Sequence, residues 1–113
     1  MSKREIKIIL EEILEHIKKI EKFTKNIDYK SFAKDDMRHY ATLKCLEIIG
    51  EGIKQLPDDF KKKHNEIEWH KIVALRNILV HEYFGIELVI IWDIIKNKIP
   101  QLKSFIKTIC KKT

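Results

Sequence analysis

Glycine, proline and cysteine are scarce in this chain, with three, two and two copies among 113 residues. So few turn-forming residues disfavour a β fold of many short strands and also a low-complexity chain. The two cysteines, Cys45 and Cys110, lie far apart among apolar neighbours. They read as small core groups, not as a disulfide or a metal knuckle, which suits a reducing compartment. Long apolar runs are missing as well, since the longest nearly apolar stretch, "IELVIIWDII", is too short to cross a bilayer. The opening "MSKREIKIILEEILEHIKK" interrupts its apolar residues with charges at helical spacing, unlike a signal peptide. A soluble, cytoplasmic protein is expected. Arginine is the last scarcity: twenty lysines stand against three arginines, so surface charge is supplied by lysine and an arginine inside an apolar run stands out.

What is present points to helices. Charged residues make up 35% of the chain, and one domain spanning residues 1–113 is large enough to bury a single core. The formal charge of +6 fits an anionic partner such as RNA, although a lysine- and glutamate-rich solvated surface gives the same balance. Ser2 and Glu5 form an S-x-x-E capping box, after which Ile6, Ile9, Leu10, Ile13, Ile17, Ile20 and Phe23 repeat at three and four. This predicts a first helix to about Thr24. "KNIDYKS" breaks the pattern, and a second helix is expected from about Ser31 to Pro57, burying Phe32, Met37, Tyr40, Leu43, Leu46, Ile49, Ile53 and Leu56. "DDFKKKHNEIE" reads as a connector with one short turn. A third helix starts near Glu68 or Trp69 and stops at Gly85. The last runs from Ile86 to about Cys110 with Val89, Trp92, Ile95, Ile99, Leu102, Phe105 and Ile109 inward and a kink at Pro100. The expected fold is all-α, an antiparallel bundle of four to five helices.

The third helix carries the unusual stretch "LRNILVHEYF", residues 75–84. On a wheel of about 100 degrees per residue, Ile72, Leu75, Ile78, Leu79 and Tyr83 share the core side, while Val73, Val80 and Phe84 are apolar on the other. One bundle supplies one core, so a second surface is needed, and a second copy of the chain about a two-fold axis meets that need. A homodimer is therefore expected, with Arg76 and His81 at or beside its seam. Arg76 aligns with Tyr83 and Asn77 with His81, whereas Arg76 and His81 diverge by about 140 degrees. They can meet on one substrate across a dimer cleft, or if the helix loosens before Gly85. Arginine grips phosphate oxygens with a fixed planar charge, and histidine exchanges protons near neutrality. Together they suffice for metal-free RNA cleavage in which the 2′-hydroxyl attacks its own phosphate. The plainer reading stands beside this one: Arg76 paired to Glu47 or Glu51, and His81 a satisfied, partly buried histidine. His16, His39, His64 and His70 share no metal-building spacing and read as surface or helix-end residues; no metal or cofactor is expected.

"IEWHKIVALRNILVHEYFGIELVIIWDIIKNKIPQL" closely resembles the C-terminal half of the HepT-like family, HEPN-domain ribonuclease toxins paired with MNT-type minimal nucleotidyltransferase antitoxins. "FTKNIDYKSFAKDD" and "LEIIGEGIKQLP" are similar to that family's earlier segments, so the resemblance covers nearly the whole chain. Its specific core is R-N-x3-H-x-Y, here Arg76, Asn77, His81 and Tyr83, followed by Trp92. The resemblance implies a helical homodimer with Arg76 and His81 as catalytic residues of a metal-independent ribonuclease and Asn77 in support. It also implies that Tyr83 accepts AMP units from the partner nucleotidyltransferase, which silences the toxin. The alternative is a non-catalytic subunit that binds a nucleotide or the nucleotidyltransferase. Ala74 and Glu68 stand where the family pattern has glycine and proline, and Lys44 and Gly52 where arginine and alanine are commoner.

Overall fold

The computed structural model describes residues 1–81 and 87–112, without the side chains of Val80 and His81. The described residues are helical with no strand: α1 (Lys3–Thr24), α2 (Tyr29–Lys34), α3 (Asp36–Gln55), α4 (Asp58–Lys63), α5 (Trp69–His81), α6 (Leu88–Asp93) and α7 (Ile99–Lys111), with a π-helical turn, Ile94–Lys98, joining the last two. The expected all-α bundle is what forms. α3 is its centre, packed along both α1 and α5, while α7 lies against α1.

The first helix follows its sequence signals. Ser2 Oγ accepts from the Glu5 amide at 3.1 Å and Glu5 Oε1 accepts from the Ser2 amide at 3.2 Å, so the capping box closes as expected. Beyond α1, Asn26 takes a left-handed φ of 59°, which asparagine tolerates better than most residues, and turns the chain toward α2. The second predicted helix is two helices. Asp28 caps α2 through the Ser31 amide at 2.8 Å, and Asp35 caps α3 through the Arg38 amide at 3.1 Å. Each carboxylate satisfies a free amide at a helix start, so Asp35 begins a new helix where continuity was expected.

That restart is accompanied by a different inward face. Met37, expected in the core, is 84% exposed, and Tyr40 is exposed too, whereas His39 and Thr42 are buried. A strict spacing of three slips by about 60 degrees per step, so counting back from Leu46 and Leu43 at the true helical period reaches Thr42 and His39 instead. His39, read from sequence as a surface or helix-end residue, lies edge-on to Phe32 with centroids 6.1 Å apart. Its Nδ1 is 3.4 Å from the Phe32 carbonyl oxygen.

The C-terminal run shows the other departure. Its expected disturbance at Pro100 takes the form of the π turn immediately before it, in which the Ile99 amide donates to the Ile94 carbonyl. A π turn inserts one residue, which shifts the inward face. Ile91, Ile95, Ile99, Leu102 and Ile106 are buried, Val89 is exposed, and Phe105 and Ile109 are only partly covered. Trp92 packs on Phe32 at 5.0 Å between centroids, tying α6 to α2. Trp69, Phe60, His64 and Phe105 form a second ring cluster in which the Trp69 indole donates to the His64 carbonyl at 3.0 Å. Burial raises the thiol pKa values of Cys45 and Cys110.

Candidate functional site around Arg76

α5 buries Ile72, Leu75 and Leu79 against the bundle and places Arg76 where it crosses α3. Ile78, expected in the core, is exposed, because it lies about 100 degrees round from Leu79. At the crossing the helices nearly touch. A Cβ on Gly50 would sit 2.3 Å from Arg76 Cβ and 3.3 Å from the Ile72 carbonyl oxygen, so a residue without a side chain is required there. Gly52, where alanine is commoner in the family pattern, lies close to α1: a Cβ there would meet Ile13 Cγ1 at 2.9 Å.

The close crossing lays the arginine along α3, leaving its side chain 18% exposed. Nη2 lies 2.6 Å from Oε2 of Glu51, and Nη1 donates to Oδ1 of Asn77 at 2.9 Å. Nε is shielded from solvent with no hydrogen-bond partner among the described residues. Two acids were candidates for this pairing from sequence. The structure selects Glu51, while Glu47 faces Lys44 at 3.6 Å. Gly50 was missed. The signal was a pair of glycines two residues apart in the helical stretch "IIGEGI", since glycine inside a helix marks close backbone approach.

Asn77 is thus brought to Arg76 directly. Tyr83 and the side chain of His81 lie outside the described residues, as do Phe84 and the side chain of Val80. α5 is helical through His81, so the two positions remain about 140 degrees apart on the wheel and the helix does not loosen before that point.

Glu68, at the family's proline position, has a structural use. Its carboxylate meets Lys71 at 2.8 Å and also bonds Lys98, linking the start of α5 to the π turn. Those two lysine hydrogen bonds hold its pKa down at about 2. A pocket of about 550 Å³ lies elsewhere, between α1, α4 and the end of α7, with Leu10, Phe60, His64 and Cys110 in its lining; Arg76, Asn77 and Glu51 take no part in it. Among the described residues no group of three His, Cys, Asp or Glu side chains could hold a metal ion, and no helix is long and apolar enough to cross a membrane.

The chain is 41% identical over 109 residues to "Putative RNase MJ1380" of Methanocaldococcus jannaschii, covering 96% of this chain and 100% of that one. It is 42% identical over 102 residues to "Probable ribonuclease HepT" of Thermococcus cleftensis, covering 90% and 93%. A 102-residue match at 39% identity takes in 90% of this chain but 46% of "Gamma-glutamylcyclotransferase and putative RNase MJ0434" of M. jannaschii, so a related domain also occurs within a longer protein. No solved structure matches significantly. Residues 13–109 match the family described as ribonuclease HepT-like, and the chain belongs to that family.

Proposed function

We propose that this protein is a metal-independent endoribonuclease, the toxin of a toxin-antitoxin pair, whose centre is completed by two copies of the chain. The observation that carries the reading is the preparation of Arg76. It is a scarce arginine in a lysine-rich protein, seated by Gly50 and oriented by Asn77 and Glu51. Arg76 binds the scissile phosphate and stabilises the charge that develops on it. One His81 takes the proton of the 2′-hydroxyl as its oxygen attacks phosphorus. As the bond to the 5′-oxygen breaks, the other His81 protonates that oxygen, leaving a 2′,3′-cyclic phosphate and a free 5′-hydroxyl. Asn77 keeps the guanidinium in place. The helical course of α5 through His81 favours assembly of this set from two subunits. Exposed Ile78 adds apolar surface to the same helix.

The test is digestion of RNA in excess chelator by wild type, Arg76→Ala and His81→Ala, each shown to be a folded dimer. Cleavage by wild type alone, with cyclic phosphate ends, is the expected result. Intact RNA in all three samples overturns it.

The Arg76–Glu51 ion pair favours a second reading, in which Arg76 and His81 are anion contacts of a non-catalytic subunit that docks a nucleotide or a nucleotidyltransferase. Binding of RNA without cleavage would select that reading. In either case Tyr83 is proposed to accept AMP from an MNT-type nucleotidyltransferase, whose added phosphates would engage Arg76 and repel RNA. Incubation with that enzyme and ATP should add AMP masses that vanish in Tyr83→Phe; labelling that persists would move the acceptor elsewhere.

A further inference from the structure

A guanidinium has five N–H groups, one on Nε and two on each terminal nitrogen. In Arg76 the single Nε–H is shielded from solvent, Nη1 is engaged by Asn77, and Nη2 is engaged by Glu51. Asn77 takes one hydrogen and the Glu51 contact is an ion pair, so the other N–H groups of the terminal nitrogens are left for a phosphate. The charge is also spoken for. The Glu51 carboxylate lies at contact distance, its Oε2 shielded but its side chain 45% exposed, so it stands beside whatever approaches Arg76.

We propose that Glu51 is a positioning residue that balances the charge of Arg76, holding the guanidinium ready for an RNA phosphate while keeping its grip on that phosphate weak. This rests on reading Arg76 as the phosphate contact. The two effects have separate physical origins. Orientation comes from the Asn77 hydrogen bond and the close ion pair with Glu51, which confine a side chain with several rotatable bonds. Weak grip comes from repulsion between carboxylate and phosphate, which offsets part of the attraction to arginine. For a nuclease, release of the cleaved strand benefits from such balance, because charge matters equally for substrate and product phosphates. A contact that strengthens both alike adds affinity without adding turnover.

The test uses full-length dimeric protein and a fluorescent single-stranded RNA made uncleavable by 2′-O-methyl groups, with affinity measured over a range of salt concentrations. Glu51→Gln keeps the shape and removes the charge. It should bind RNA roughly threefold to tenfold more tightly, and the fall of log affinity with log salt should steepen by about 0.7, the mark of one additional effective cation on a single strand. Glu51→Asp, which keeps the charge, should retain the wild-type slope. In an Arg76→Ala background, where no guanidinium draws the phosphate toward Glu51, the Glu51→Gln change should tighten binding less than it does in wild type. With cleavable RNA, Glu51→Gln should lower kcat several-fold despite tighter binding. An unchanged affinity and slope in Glu51→Gln, alongside weakened binding in Arg76→Ala, would overturn the role of Glu51 and leave the phosphate reading standing. Wild-type binding in Arg76→Ala would instead overturn the reading of Arg76 itself.

Discussion

An arginine sits near each end of α3, one its own and one reaching in from α5, and the two are used differently. Near the start, Arg38 donates from Nη1 to the Phe23 carbonyl at 2.8 Å and pairs through Nε with Asp35 at 3.0 Å. The carbonyl is one that the end of α1 leaves without a helical partner, so Arg38 ties α1 to the cap of α3. Toward the other end, Arg76 reaches α3 from α5 and touches side chains, Glu51 and Asn77. No backbone group depends on those contacts. An arginine bonded to backbone holds elements together; one bonded to side chains can exchange a partner for a ligand without unravelling a helix end. The comparison separates a fastening from a site although both residues carry an ion pair.

Exchanging the two mutations breaks or sustains that distinction, and its largest effect should be catalytic. Arg76→Ala should reduce RNA cleavage by about 10²–10³-fold, the usual consequence of removing a group that stabilises transition-state charge, with a small change in melting temperature. Arg38→Ala should leave cleavage nearly intact and cost roughly 1–2 kcal/mol of stability, measured by chemical denaturation. Equal losses of activity in the two variants would erase the difference.

Gly50→Ala sharpens the comparison because it disturbs Arg76 without removing it. The new methyl would lie 2.3 Å from Arg76 Cβ, so the α3–α5 crossing must open. Overpacking of this kind costs about 1–3 kcal/mol, and a displaced guanidinium should lower activity well beyond what the lost stability explains. Full activity in Gly50→Ala would mean that the close crossing does not set the position of the arginine.

The smallest effect concerns Glu68, an acid tied to lysines instead of arginine. Its pKa is lowered to about 2 from an ordinary 4.5, so its stabilisation is present above pH 4.5 and is lost as pH falls toward 2. Glu68→Gln should therefore be slightly less stable than wild type at pH 6 and indistinguishable below about pH 2, by denaturation at a series of pH values. The carboxylate is open to solvent, which keeps the gap small.

The amino-acid order by itself determined α1, its capping box and its inward face, because caps and the helical period act over a few residues. It also singled out Arg76 and Asn77, and it narrowed the acid beside Arg76 to two glutamates. Tertiary structure decided the rest. Asp35 could have lain within a helix or started one, and packing of Phe32 and His39 goes with the second choice. The π turn before Pro100 set which side of α6 faces inward. Glu51 was selected over Glu47, and Gly50 acquired its purpose, only when α5 crossed α3, since a contact between residues far apart in the chain depends on the angle and distance of two helices that no local pattern encodes.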